Sequence, residues 1–320
     1  MQSQKAIKSV KASKSERKRL WKAAIKWPLY SVAIMPIVIA AGWKQSIESS
    51  IRWDQFIGFL IASIFLLIWE NLTNDLFDSD TGVDQFKLHS VVALLGQRRL
   101  VERLAYIALF IGLFLIFILA IKSNSAVLFL ILGSCFLGYL YQGPPFRLGY
   151  HGLGEPLCWL AFGPLGTAAA LLVLSPKNNA IPWSTATLIG SGPALATTLV
   201  LFCSHFHQVL QDAKHGKQTS LVRLGTRRAA DLVPWIIGLV LALEFIPIIQ
   251  GNLPITALLA VISIPSGLEL IRLLNKHHNH PNLITESKFL ALRFQTLNGF
   301  SLSIGLALAP SLGINFAHTI

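Results

Sequence analysis

Long apolar runs alternate with short polar and basic segments along most of the chain. Runs at 28–43, 53–72, 104–121, 126–142, 152–174, 184–210, 230–249, 253–274 and 289–311 each approach or reach the length needed to cross a hydrocarbon core of about 30 Å as a helix. The pattern predicts an all-α, polytopic membrane protein of about nine transmembrane helices. It also predicts a single transmembrane domain over 27–320 behind a polar segment at 1–26.

Composition agrees, because 53% of residues are hydrophobic and 13% charged, where soluble domains carry roughly a quarter charged residues. A formal charge of +12 would point to nucleic acid in a soluble protein, but here orientation accounts for it. Of the 27 Lys and Arg, only Lys44, Arg52, Lys122 and Lys177 fall on the far side of the nine spans, the asymmetry of the positive-inside rule. The N-terminus and the basic loops are therefore expected on the cytoplasmic face, with membrane lipid and no nucleic acid as partner.

The first 26 residues place Lys5, Lys8, Lys11 and Lys14 at a three-residue step and Lys18, Lys22 and Lys26 at four. This is either a helical stripe facing anionic lipid or a basic tail that fixes topology. It is too long for the n-region of a signal peptide, and its retention is expected. Cys135, Cys158 and Cys203 lie inside apolar runs without CxxC spacing and read as packing residues with free thiols.

Against this apolar background, Asp75, Asp78, Asp80 and Asp84 follow directly on the second run. Clustered carboxylates at a membrane boundary repel one another and are costly to dehydrate, so a cation is the expected reason for them. On an ideal helix Asp75 and Asp78 lie about 60° apart, whereas Asp80 and Asp84 lie on nearly the opposite face. Thr81-Gly82 supplies a break. The expectation is that Asp75 and Asp78 end the helix, Asp84 turns back toward them, and Asp80 faces solvent. Lys87, Arg98, Arg99 and Arg103 add cations on the same side.

Two further segments share that face. The loop Tyr139 to Tyr150 combines aromatics, Pro144-Pro145 and Arg147, and Glu155 follows at the membrane edge. At the end of the sixth run, His205, Gln208 and Asp212 fall within about 60° on one helical face, followed by Lys214, Lys217 and Arg223. Zinc on Cys203, His205 and His207 is disfavoured, since alternate helical residues point about 160° apart. Glu244 and Glu269 fit helix-packing hydrogen bonds as well as function and stay outside the site, and His277 to His280 read as a solvated loop.

Carboxylates alone could hold calcium, but Lys and Arg in every loop on that face argue for an anion bound together with the cation. Mg2+ typically takes one or two carboxylates and completes its shell with water and phosphate oxygens, so a Mg2+-diphosphate fits both halves of the pattern. A diphosphate held at a membrane surface implies an oily tail lying among the helices. The reaction that follows is ionisation to an allylic cation and attack by an aromatic acceptor, with Phe77, Tyr139, Tyr141 and Phe146 as candidates to shelter the cation.

These residues resemble a known family. Asn74-Asp75-x-x-Asp78-x-x-x-Gly82-x-Asp84 is similar to the first aspartate-rich motif of the UbiA superfamily of intramembrane prenyltransferases. Asp212-x-x-x-Gly216-Lys217 through Val222-Arg223-Leu224-Gly225 resembles the end of the second motif, and Tyr141 to Leu148 the loop between spans four and five. The resemblance implies a bundle of nine helices around a central cavity open to the cytoplasmic face, using Mg2+ and a prenyl diphosphate. It further implies Asp75, Asp78, Asp84 and Asp212 as metal ligands and catalytic residues, with Tyr141 and Arg147 also catalytic. Asn74, Lys87, Arg147, His205, Gln208, Lys217 and Arg223 would bind diphosphate or acceptor.

Gly82 and the run Leu148 to Glu155 are most similar to the 1,4-dihydroxy-2-naphthoate (2-carboxy-1,4-naphthoquinone) prenyltransferases of menaquinone and phylloquinone synthesis, with the phytyl-transferring cyanobacterial and plastid branch nearest. That branch implies replacement of the acceptor's carboxyl group by a phytyl chain, with release of carbon dioxide and diphosphate, in a bacterial inner or thylakoid membrane. There is one departure. Gln208 stands where many relatives carry Asp, and Ser204-His205 where an Asn pair is usual, so motif one is expected to hold most of the metal with Asp212 in support. The competing readings are a relative acting on homogentisate, 4-hydroxybenzoate or a chlorophyllide, and a transporter of an anionic solute. Transporters place their polar site near the midplane between internal repeats, and neither feature is present here.

Overall fold

The computed structural model describes residues 18, 20–21, 27–48, 51–83, 90–176, 180–314 and 316, and every regular element among them is helical. Most of the basic tail, Asp84 and Lys87 lie outside the described residues. The long helices are α1 (Tyr30–Glu48), α2 (Trp53–Thr81), α4 (Arg98–Lys122), α5 (Ala126–Gln142), α6 (Gly154–Leu174), α7 (Trp183–Ser204), α10 (Thr226–Ile249), α11 (Ile255–His277) and α12 (Ser287–Leu308). Short helices α3 (Val91–Leu95), α8 (Val209–Lys214) and α9 (Ser220–Leu224) lie between them.

The nine long helices among the described residues match the nine apolar runs, although only six are long and apolar enough to cross a membrane by length and composition. The shortfall has a physical reason. Helix α5 has only 17 residues, and helices α1 and α12 lie inside the bundle, where Gln295, Asn298 and Ser303 are buried and find partners on neighbouring helices. Ser303 Oγ donates to the Val38 carbonyl at 2.6 Å, Ser31 Oγ to Gln295 Oε1 at 3.1 Å, and Gln295 Nε2 to Thr197 Oγ1 at 3.3 Å. A helix screened from lipid can exchange apolar surface for interhelical hydrogen bonds. Outer helices do the reverse, exposing Phe110, Phe114 and Phe117 on α4 and Trp235 on α10.

The two faces of the bundle differ. On the far face the described cations all have local partners: Lys44 pairs with Glu48, Arg52 Nη1 donates to the Ser175 carbonyl at 2.8 Å, and Lys122 stands 3.6 Å from Asp54. On the near face α2 overshoots. Its 29 residues extend about 43 Å at 1.5 Å per residue, well beyond a core of about 30 Å. The excess carries Asn74 to Asp80 out to the membrane edge, and the helix stops at Gly82 in the left-handed conformation, φ 76°, which glycine adopts without penalty.

Two helices depart from regular geometry. Residues Ala161–Leu165 of α6 form a π-helical turn containing Pro164, which lacks the N–H that a regular turn needs. The sixth span ends earlier than its apolar pattern predicts. A continuous helix through 210 was expected, but α7 stops at Ser204 and residues 205–208 form a tight turn before α8. Ser204 Oγ donates to the Leu201 carbonyl at 2.6 Å, and Ser287 Oγ of α12 to the Cys203 carbonyl at 3.2 Å. Carbonyls of the last turn thus have hydroxyl partners, and the backbone is released from the helix.

Candidate active site

The near-face ends of α2, α5 and α7 and the starts of α1 and α12 contribute to a cavity of about 820 Å³. Its depth is apolar, with Phe59, Leu66, Leu67, Ile131 and Phe162 in the walls, while Asn74, Asp75, Asp78, Gln142, His205 and Lys217 collect at the mouth.

Asp78 organises that mouth. It is 7% exposed, and its Oδ1 accepts from Gln142 Nε2 at 2.5 Å and from the Tyr150 hydroxyl at 3.0 Å, with Lys217 Nζ at 3.5 Å. The Tyr150 hydroxyl also lies 2.7 Å from Thr81 Oγ1. Burial, reinforced by the charge of Asp78, pushes the Tyr150 phenol well above its ordinary value, so it remains a hydroxyl donor. Lys217 Nζ stands 5.0 Å from the Tyr150 ring centroid and the Arg147 guanidinium 5.7 Å, within reach of cation–π attraction. Arg147 has φ 43°, a left-handed conformation costing a non-glycine residue roughly 1–2 kcal/mol. Local hydrogen bonds from Arg147 N to the Gly143 carbonyl (2.9 Å) and from Tyr150 N to the Arg147 carbonyl (2.8 Å) hold it there.

The other α2 carboxylates separate as their helical angles require. Asp75, 2% exposed, accepts the Val91 N–H at 2.9 Å through Oδ2 and so ties α3 to the end of α2. Asp80 points the other way and forms a two-pronged pair with Arg98, Nε to Oδ1 at 2.9 Å and Nη2 to Oδ2 at 2.8 Å, on the exposed surface.

Asp212 is fully buried, and neither carboxylate oxygen has a hydrogen bond among the described residues. His205 Nδ1 lies 3.4 Å from its Oδ2. His205, Gln208 and Asp212 are therefore brought together, but across the turn and α8 and not on the continuous helical face expected from their spacing. Lys217 N donates to the Asp212 carbonyl at 2.8 Å, so this turn delivers the ammonium to Asp78.

Tyr141 lines the cavity with its ring against two backbones: a Cβ on Gly149 or Gly154 would fall 2.5 or 2.6 Å from its Cε2. Of the four aromatics expected to shelter a cation, only Tyr141 lines the cavity. Phe77 and Tyr139 pack edge to face at 6.0 Å, and Phe146 is exposed. Arg223 stands outside the cavity lining, donating Nε to the Gln218 carbonyl at 3.1 Å, while Gln218 N bonds the Tyr150 carbonyl at 2.8 Å. Ser220 Oγ reaches both the Gly152 carbonyl (3.1 Å) and Glu155 Oε2 (2.7 Å). The loop at 148–155 and the segment at 217–225 thus form one laced lid edge.

Sequence reasoning passed over Gln142 and Tyr150. Both were legible as polar side chains at the close of an apolar span and in the loop beside it, but nothing local shows that they converge on Asp78.

The donor set suits a hard divalent cation. It consists of carboxylate oxygens, and the two of Asp212 are buried without a hydrogen bond among the described residues, a state that native proteins rarely leave uncompensated. Among the described residues no three His, Cys, Asp or Glu side chains converge closely enough to hold a metal by themselves.

Comparison with known proteins follows the same lines. Residues 33–292 match the UbiA prenyltransferase family. The chain is 37% identical over 292 residues to a 2-carboxy-1,4-naphthoquinone phytyltransferase of Synechocystis sp., covering 90% of this chain and 93% of the relative. It is 38% identical over 297 residues to the chloroplastic 2-carboxy-1,4-naphthoquinone phytyltransferase of Arabidopsis thaliana, covering 91% of this chain and 78% of the relative. Among solved structures it superposes on a digeranylgeranylglyceryl phosphate synthase with TM-score 0.58 at 15% identity, over 91% of this chain and 99% of the other. It also superposes on a UbiA homologue from Archaeoglobus fulgidus bound to DMAPP and Mg2+, with TM-score 0.52 at 15% identity over 89% and 99%.

Proposed function

This chain belongs to the UbiA prenyltransferase family of integral membrane enzymes, and from that premise we propose that it transfers a phytyl group to 2-carboxy-1,4-naphthoquinone or the corresponding dihydroxynaphthoate. The observation that carries this reading is the buried Asp78–Lys217 pair at the mouth of a long apolar cavity. An amphiphile with a diphosphate head and a hydrocarbon tail has that shape, and 820 Å³ lies within the roughly 300–1,000 Å³ of ligand pockets.

Asp75, Asp78 and Asp212, joined by Asp84 from outside the described residues, would hold Mg2+, which when bound neutralises charge on the diphosphate. Lys217 and Arg147 supply positive charge on the protein side, with Asn74, His205 and Gln208 as polar contacts and Lys87 as a further expected cation. Arg223 supports the loop beneath them. The Tyr150 hydroxyl and the Gln142 amide fix the orientation of the Asp78 carboxylate, so the charged groups need not reorganise during reaction.

In the reaction the bond between prenyl C1 and the diphosphate oxygen breaks, and the electron pair leaves with the diphosphate. The ring carbon bearing the carboxylate forms a bond to C1. The bond to the carboxylate then breaks, its electron pair returns to the ring, and carbon dioxide departs. No net oxidation occurs, so no redox partner is required. Tyr141 faces the developing allylic cation, and the apolar walls exclude the water that would quench it. The basic mouth argues for a cytoplasmic orientation.

The test incubates membranes containing the full chain with Mg2+, phytyl or geranylgeranyl diphosphate, and either naphthoquinoid acid. Release of carbon dioxide is expected with prenylated naphthoquinone from the quinone acid, or with the prenylated naphthoquinol from the dihydroxynaphthoate. Failure with every prenyl donor and both acceptors would overturn the reading.

A further inference from the structure

Below the mouth, α2 carries one more acid whose position the reaction so far leaves unused. Glu70 lies one turn before Asn74 and two before Asp78, so the three follow one strip of α2 about 12 Å long. All three line the cavity. Across the wall is α5, where a Cβ on Gly138 would stand 3.7 Å from Glu70 Cδ. Asp75 and Asp78 each have hydrogen-bond donors, but among the described residues no donor or cation reaches the Glu70 carboxyl. A carboxyl turned into an apolar cavity without a partner is costly, and a ligand that hydrogen-bonds to it removes the cost.

The two substrates differ in what they could offer at that depth. The prenyl tail has no polar atom beyond its diphosphate, and the diphosphate belongs at the cationic mouth about two helical turns away. The acceptor is flat and carries two ring oxygens and a carboxylate. An acid at this position disfavours the carboxylate end and accommodates a ring oxygen, which turns the carboxylate-bearing edge toward Lys217 and the prenyl C1.

Resting on the acceptor class proposed above, we propose that Glu70 orients the acceptor by hydrogen-bonding one of its ring oxygens, and so sets both ring specificity and the carbon that is prenylated.

The test compares Glu70→Gln and Glu70→Leu in the full-length chain reconstituted in lipid, with KM and kcat measured separately for the acceptor and for prenyl diphosphate. Loss of one hydrogen bond predicts an acceptor KM raised about tenfold in Glu70→Leu, with the prenyl diphosphate KM unchanged. Glu70→Gln, which can still hydrogen-bond, stays near wild type. A second readout uses 1-hydroxy-2-naphthoate, which lacks one ring oxygen. The wild-type preference for the dioxygenated ring over this analogue should collapse in Glu70→Leu. An unchanged acceptor KM, or a parallel rise in both KM values, overturns the proposal. If Glu70→Leu does not insert, Glu70→Ser is too short to reach the acceptor and gives the same comparison. If the wild-type chain makes neither prenylated naphthoquinone nor prenylated naphthoquinol, the acceptor class itself is wrong; if it does and the variants leave acceptor KM unmoved, only the role of Glu70 fails.

Discussion

The Lys217 ammonium stands 3.5 Å from Asp78 Oδ1 although 139 positions separate them in the chain. Both are almost sealed from solvent, at 3% and 7% exposure. Each therefore compensates a charge that would otherwise be buried alone, and the pair ties the end of α2 to the turn that follows α8. Removing either partner leaves an uncompensated charge, which in buried pairs is strongly destabilising.

Asp78 and Asp80 are two residues apart and should behave as opposites. Asp78→Asn should lower turnover by about 100-fold or more, the scale seen when one preorganised electrostatic contact is removed from a site. Asp80→Asn loses only an exposed pair with Arg98, so activity should stay within about twofold. Initial rates of the purified proteins decide it, and equal losses would refute the division of the two faces.

Tyr150→Phe deletes one hydrogen bond to Asp78 while keeping the ring beside Lys217 and Arg147. A hydrogen bond to a charged group is worth about 1.5–3 kcal/mol, which predicts a loss of roughly ten- to a hundredfold. The phenol is raised above its ordinary value by burial, so the hydroxyl persists as pH rises toward that value of about 10. The alkaline side of the rate profile below that pH should therefore be the same for wild type and Tyr150→Phe. A limb present only in the wild type would count against it.

Asp212→Asn should separate stability from function. The Asp212 carboxylate is fully buried, with neither oxygen hydrogen-bonded among the described residues. A neutral amide is easier to bury there than a carboxylate that has only the His205 ring nearby, at 3.4 Å, and no hydrogen bond among the described residues. Without Mg2+ the variant should melt at or above the wild-type temperature, and it should lose the stabilisation that Mg2+ with diphosphate gives the wild type. Thermal unfolding in detergent with and without both ligands measures it.

Gly154→Ala forces a methyl group against the Tyr141 ring. Such overpacking typically costs about 1–3 kcal/mol, and the displaced ring should reduce turnover as well. In a Tyr141→Leu background the same substitution should cost measurably less, because neighbouring residues couple. Additive effects in the thermal midpoint would show that the ring is not where the cost arises.

The sequence by itself determined the membrane class, the approximate number and order of the spans, and the face on which the chemistry lies. Apolar runs of sufficient length have one low-energy solution in lipid, and the charge asymmetry of their loops gathers most basic residues at one end of the spans. It also determined the division of the acids on α2: helical angles alone turn Asp80 away from Asp75 and Asp78, and Gly82 ends the helix where a break was expected. Tertiary structure decided what meets what. Gln142 and Tyr150 reach Asp78 across 64 and 72 positions, and no local periodicity encodes such distances. The end of α7 at Ser204 depends partly on a hydroxyl from α12, Ser287, so the helical spacing of His205, Gln208 and Asp212 could not be trusted beyond it. Glu70 reads along the chain as one acid at the end of an apolar run. Only the packing of α2 on α5 turns it into a cavity wall, because a side chain's surroundings are set by the helices that pack against its own.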